Sequence, residues 1–297
     1  MDKVFIIGGT TYDHIVHLPA LPPAVPHTIH QAVFHEATGS TGSGKALAFK
    51  KLGVESSLYS LLGDDVYGRQ IIQHLKDEGV AFYYDFDPAG TERHINLMDA
   101  EGGRISIFVT QSSEKPPMNL QLIEDQILKS DLLVLNIIAY CKVVAPMAKA
   151  SGKPVWTDLH DYTDHNPYHE PFIEASDVLF LSSDNLPDYR RTMQELMNRG
   201  KQLVVCTHGK NGSTALTSEG EWIEQQAYNL VPMVDANGAG DNFFAGFLWA
   251  FLQQKPISEC MKYGSICGAL CVGSKQLVHE ELSVEKLYKH TIFRHKA

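Results

Sequence analysis

Along the chain, short apolar runs alternate with longer stretches in which apolar residues recur at helical spacing. Val4–Ile7, Ser57–Leu62, Leu132–Leu135, Val155–Thr157, Val178–Leu181 and Leu203–Cys206 have the length and character of strands. Between them Ser43–Leu52, Tyr67–Glu78, Leu120–Lys129, Val144–Ala150 and Asn185–Arg199 predict helices, and two more follow over Asp241–Gln253 and Ile257–Val272. Alternation of this kind predicts an α/β layered sheet. Two regions break the rhythm. Tyr12–Phe34 carries the proline-rich Leu18-Pro19-Ala20-Leu21-Pro22-Pro23, and Phe82–Val109 places alternating runs on both sides of Glu101-Gly102-Gly103, as in a β-hairpin. They predict a small β element, discontinuous over about 12–36 and 82–110, within a single domain spanning 1–297. Such an element is suited to act as a lid that keeps water from a reacting centre, although an ordinary edge hairpin has the same pattern.

Composition narrows the function classes. At 297 residues and 44% hydrophobic, the chain supports one large core. A net charge of −10 without a long basic run argues against nucleic acid or an anionic membrane as partner. No run approaches the apolar length of a membrane span, and Val4–Ile7 is too short for a signal peptide. Five scattered cysteines, with no Cys-x-x-Cys spacing, predict a reduced, cytoplasmic protein.

The densest chemistry is at Val234-Asp235-Ala236-Asn237-Gly238-Ala239-Gly240-Asp241, at the head of an apolar helix. Gly238, Ala239 and Gly240 have almost no side chain, so their amide N–H groups can approach an anion closely. The helix N-terminus adds unpaired N–H groups and partial positive charge, which stabilise phosphate. Asp241 stands where it can take a proton from an attacking hydroxyl. Donors for the charge and a base for the nucleophile predict phosphoryl transfer. A glycine-rich turn with Asp241 as a helix cap is the plainer alternative.

Asp235 to Asp241 resembles the Asp-Thr-x-Gly-Ala-Gly-Asp signature of the ribokinase-like (pfkB-type) carbohydrate kinases, with Ala236 in place of Thr. Further segments are similar to that family. Gly39-Ser40-Thr41-Gly42-Ser43-Gly44-Lys45 fits a Walker A loop until Ala46, which lacks the hydroxyl such a loop uses on magnesium. Continued to Leu52-Gly53, it matches instead the family's first signature at Gly39, Gly42, Ala46, Leu52 and Gly53. Ser40 replaces a second glycine, and Gly44 replaces the Asn that touches the sugar. Lys45 reads either as a compensating cationic donor or as a surface lysine. Gly63-Asp64-Asp65-x-x-Gly68 matches as well, and Asp13 resembles the aspartate that accepts hydrogen bonds from sugar hydroxyls; a turn cap is its alternative.

On the nucleotide side Thr207, Gly209 and Gly212 match the family's Thr-x-Gly-x-x-Gly turn, and Ser265 falls on the small-residue helix that lines the adenine pocket. Ser182 and Asn185 replace the Asn and Glu of the motif that organises magnesium, so the metal ligands stay unassigned. The cluster from Asp158 to His169, rich in His and Asp, raises a metallohydrolase as an alternative. Its spacing fits no zinc pattern and Pro167 interrupts any helix, which favours Asp158 as part of the active-site rim.

The resemblance implies a ribokinase-like three-layer sandwich with a mostly parallel central sheet and a small β-sheet lid. It implies ATP-dependent phosphorylation of a hydroxymethyl group of a sugar or sugar-like molecule, with Asp241 as base and Gly238, Ala239 and Gly240 as the anion hole. Asp13, Gly42 and Gly44 would line the sugar pocket. ATP, Mg2+, a monovalent cation such as K+ and a homodimer formed through the lid belong to the same expectation. A nucleoside kinase of the same fold, a P-loop ATPase and a non-catalytic sugar- or nucleotide-binding relative remain as alternatives, and the identity of the acceptor stays open.

Overall fold

A computed structural model describes residues 2–100 and 103–292. The chain opens with β1 (Val4–Ile7), β2 (Thr11–His17), β3 (Val33–Gly39), α1 (Thr41–Lys51), β4 (Ser56–Leu62), α2 (Val66–Asp77) and β5 (Ala81–Phe86). Next come β6 (Arg93–Met98), β7 (Arg104–Thr110), α3 (Leu120–Lys129), β8 (Leu132–Leu135), α4 (Cys141–Ala150), β9 (Val155–Asp158) and α5 (Glu170–Ala175). The remainder is β10 (Val178–Ser182), α6 (Tyr189–Met197), β11 (Leu203–Thr207), β12 (Ser213–Thr217), β13 (Trp222–Gln225), α7 (Ala239–Leu252), α8 (Ile257–Cys271) and α9 (Val284–Ile292).

Nine strands form the main sheet in the order β13-β12-β11-β10-β9-β8-β1-β4-β5, with only β12 running against the rest. Alternate residues of each strand feed opposite faces, as the two-residue period of a strand requires. Val4 and Ile6 pack with α1, α2, α7 and α8 on one face, while Phe5 and Ile7 pack with α3, α4, α5 and α6 on the other. This is the expected three-layer sandwich. β1 sits between β8 and β4, so the strand order reverses there, and open α/β sheets bind ligands beyond the carboxyl ends of the strands at such a reversal.

The second sheet has four strands in the order β3-β2-β6-β7. The hairpin β6–β7 forms as predicted, and Asp99 N–H to Gly103 O at 3.1 Å helps close its turn; Glu101 and Gly102 lie outside the described residues. The region 82–110 does not belong to one unit, however. β5 pairs in parallel with β4 at the edge of the main sheet, and only β6 and β7 join the small one. Asp65 ties the two sheets together, capping α2 through Gly68 N–H and accepting from Thr91 N–H and Oγ1. Helix α6 starts at Tyr189 rather than Asn185, because Pro187 intervenes and Asp188 caps the helix by accepting from Arg191 N–H.

Candidate active site

The first turn of α7 holds the candidate anion-binding amides. Gly238 caps it with φ of 79°, a left-handed conformation that favours glycine, and a Cβ there would lie 2.7 Å from Leu277 O. Asn242 locks the turn by donating from Nδ2 to Gly238 O and Leu277 O at 2.8 and 2.7 Å. The Ala239 N–H is engaged by Ala236 O at 3.3 Å. Those of Gly238 and Gly240 find no acceptor among the described residues, which leaves them free to meet an anion. Ala239 thus contributes its small size to the turn more than an available donor.

Asp241 follows, 7% exposed. Its Oδ1 forms an ion pair with Lys45 Nζ, which also reaches Asp158 Oδ2 at 3.4 Å and lies 4.9 Å from the centre of the Phe244 ring. Lys45 is 0% exposed, so its reading as a surface lysine is corrected. Burial opposes its charge, but Asp241 and Asp158 outweigh that effect and hold the ammonium above the ordinary lysine value. Burial likewise works against the charge on Asp158, while His160, Lys45 and the His160 N–H, donating at 2.9 Å, keep its carboxyl below the usual carboxylate range.

Helix α1 links this carboxylate to the candidate sugar pocket. Gly44 lies against Asp241, and a Cβ on it would sit 3.0 Å from Asp241 Oδ2. Gly42 packs onto the Gly9 carbonyl, where any side chain would collide. Asp13 is buried in β2, not in a turn, and accepts from Thr11 Oγ1 at 2.7 Å and from Asn96 Nδ2 at 3.2 Å. Burial raises its carboxyl above the ordinary value against the opposing pull of Thr11 and His94. Ser106 Oγ donates to Asn96 Oδ1 at 2.7 Å, so β2, β6 and β7 share one polar network around Asp13.

The small sheet also touches the α7 loop directly. Arg104 Nη1 donates to Asn237 Oδ1 at 3.3 Å, and His17 Nε2 lies 4.0 Å from Asp235 Oδ2. Thr207, Gly209 and Gly212 stand apart, at the end of β11 and the start of β12. β11 is two strands from β9, roughly 10 Å across the sheet. Ser265 is buried in α8, which packs on α7 and on β12 and β13. In the main sheet β11 and β12 thus lie on the far side of β9 from β1, the strand that leads into β2 and Asp13.

The Walker A alternative fails on geometry. β3 is a largely exposed edge strand of the small sheet, and Lys45 turns inward to two carboxylates. Beyond Asp158, carboxylate and backbone groups of the His- and Asp-rich segment are engaged in structural bonds: Asp164 accepts from Arg191 and Thr192, and Asn185 Nδ2 donates to Asp161 O at 2.9 Å. No group of three His, Cys, Asp or Glu side chains is placed to hold a metal ion among the described residues.

The sequence pattern of the pfkB family carbohydrate kinases matches residues 1–282. An acarbose 7(IV)-phosphotransferase of Actinoplanes sp. is 31% identical over 272 residues, covering 90% of each chain. A ribokinase of Arabidopsis thaliana is 24% identical over 312 residues, 97% of this chain and 81% of that one. Among solved structures, a microbiome-derived acarbose kinase superposes with a TM-score of 0.86 at 27% identity, over 97% of this chain and 98% of its own.

Proposed function

Because the chain belongs to the pfkB family of carbohydrate kinases, we propose that it transfers the terminal phosphoryl group of ATP to a hydroxymethyl group of a sugar or sugar-like molecule. Asp241 is the base, and the Gly238 and Gly240 amides receive charge on the phosphoryl oxygens. One observation carries this reading: a nearly buried carboxylate stands in the first turn of a helix at whose start the Gly238 and Gly240 amides have no acceptor among the described residues. Asp13 orients the acceptor, with Gly42 and Gly44 of α1 lining the same pocket. Thr207, Gly209, Gly212 and Ser265 form the nucleotide side. The small sheet, bonded to the α7 loop through Arg104, serves as the lid.

The residues do not form a magnesium cage. Asn185 directs its amide to a backbone carbonyl, and Ser182 carries no charge. Mg2+ accordingly arrives with the ATP phosphates, to which it binds well while keeping several waters. A monovalent cation such as K+ near Asp235 and Ala236 belongs to the same proposal. Five unpaired, buried cysteines suit a reducing cytoplasm, and no helix among the described residues is long and apolar enough to cross a membrane. Exposed Phe34, Ile105, Ile107 and Phe108 on β3 and β7 give the lid an apolar surface for a homodimer.

The test is ATP turnover across acarbose, ribose, fructoselysine and nucleosides, with Asp241→Asn as control. Turnover on a carbohydrate, lost in the variant while binding persists, supports the proposal. Turnover confined to nucleosides moves the acceptor class, and no turnover on any acceptor favours a binding protein.

A further inference from the structure

The sequence departs from its family's pattern at Gly44, and the structure puts that departure next to a second unusual residue. Lys45 is the wholly buried cation of α1, set among small and apolar neighbours. Its ammonium has three donors. Two face carboxylates from different elements, Asp241 on α7 and Asp158 at the end of β9, and the third side is covered by Phe244. No donor is left over for a phosphate. Asp241 Oδ1 is the oxygen that Lys45 holds, and Oδ2 makes no hydrogen bond among the described residues. That second oxygen lies against Gly44, where a Cβ would come within 3.0 Å of it, so a side chain at position 44 would crowd it.

We infer that Lys45 is a positioning residue for the base: it holds Oδ1 of Asp241, shares its charge with Asp158, and so presents Oδ2 above Gly44 to the acceptor hydroxyl. This rests on the reading of Asp241 as base. In the step, the acceptor O–H bond breaks and its proton passes to Asp241 Oδ2. The acceptor oxygen bonds to the terminal phosphorus of ATP, and the bond from phosphorus to the bridging oxygen breaks with its electron pair leaving on ADP. Asp241 becomes neutral when it takes the proton. Asp158 then keeps Lys45 paired, so no lone cation is left in the interior. His160 helps fix Asp158: its φ of 54° is a left-handed conformation uncommon outside glycine, and it turns the His160 N–H onto Asp158 Oδ1.

Four variants decide the matter: Lys45→Met, Asp158→Asn, the double variant, and Asp241→Asn. For each, kcat and both KM values are measured per nucleotide-binding site, so that loss of folded protein does not count as loss of rate. Lys45→Met is expected to lower kcat about 100-fold, the scale on which a base displaced by an ångström loses rate, with both KM values kept within about threefold. Asp158→Asn is expected to lower kcat about tenfold alone and to add no further loss in the Lys45→Met background, as coupled partners do. If Lys45→Met does not fold, Asp158→Asn decides: a fall in kcat with KM preserved supports the inference, and unchanged kcat overturns it. Lys45→Met with wild-type kcat, or with KM raised and kcat kept, also overturns it. An active Asp241→Asn enzyme would instead remove the reading of the base, whatever Lys45 does.

Discussion

Asp13 and Lys45 show opposite solutions to a charge in the protein interior. Lys45 is matched by two carboxylates, so its burial is tolerated only as a set. Removing the ammonium by Lys45→Met strands two buried carboxylates, and a loss of about 3–5 kcal/mol in chemical denaturation is expected, partly recovered when Asp158→Asn is added. Asp13 has hydrogen-bond donors but no comparable cation, and burial raises its carboxyl. The sign follows directly. The folded protein binds this proton more readily than the unfolded chain does, so protonating Asp13 as pH falls does not weaken the fold. It would remove the carboxylate proposed to orient the acceptor. The acceptor KM is therefore expected to climb at a pH above the ordinary carboxylate range, with the KM for ATP flat; Asp13→Asn should give a high acceptor KM that does not change across this range.

Among the elements, α7 bears the heaviest load, since it carries both the proposed base and the middle of one core layer. From Asp241 to Ala250 it is buried without interruption, which explains why its sequence is apolar all round instead of striped. Trp156 of β9 packs its ring against Phe180, Phe244, Phe247 and Phe251, all but Phe180 on α7. Trp156→Ala is expected to cost about 3–5 kcal/mol in chemical denaturation. Because Asp158 lies two residues on, it should also reduce kcat in the fraction that stays folded. The parallel strands and the α7 turn were legible in the sequence, for continuous apolar runs and a glycine-Asp loop are local signals. The place of β5 was not, because alternation reads the same in a main-sheet edge as in a lid. β12 and β13 were missed because their short runs carry polar residues. Lys45 was also missed in role, since the ion pair with Asp241 spans 196 positions. One local clue existed: from Gly42 to Phe49 the helix offers no other charged residue, hence no polar face on which Lys45 could lie.

At the scale of the whole molecule, the two sheets have different duties. The main sheet is covered on both faces and gathers Asp158, Ser182 and Thr207 at the carboxyl ends of adjacent strands. The small sheet buries Asp13, bonds the α7 loop through the exposed Arg104, and leaves apolar residues on its edge strands in solvent. If that surface joins two copies, sedimentation of the wild type will give a dimer, and Ile107→Asp with Phe108→Asp will give a folded monomer. A monomeric wild type would contradict the lid-to-lid arrangement without touching the chemistry.

That chemistry is tested most directly by Asp241→Asn, measured for rate and binding together. The variant keeps the shape of the side chain and its place on α7 while removing its capacity to accept a proton. Phosphoryl transfer to the best acceptor is expected to fall about 10²–10⁴-fold, with nucleotide and acceptor affinities within a few-fold of the wild type. Transfer at the wild-type rate would contradict the account.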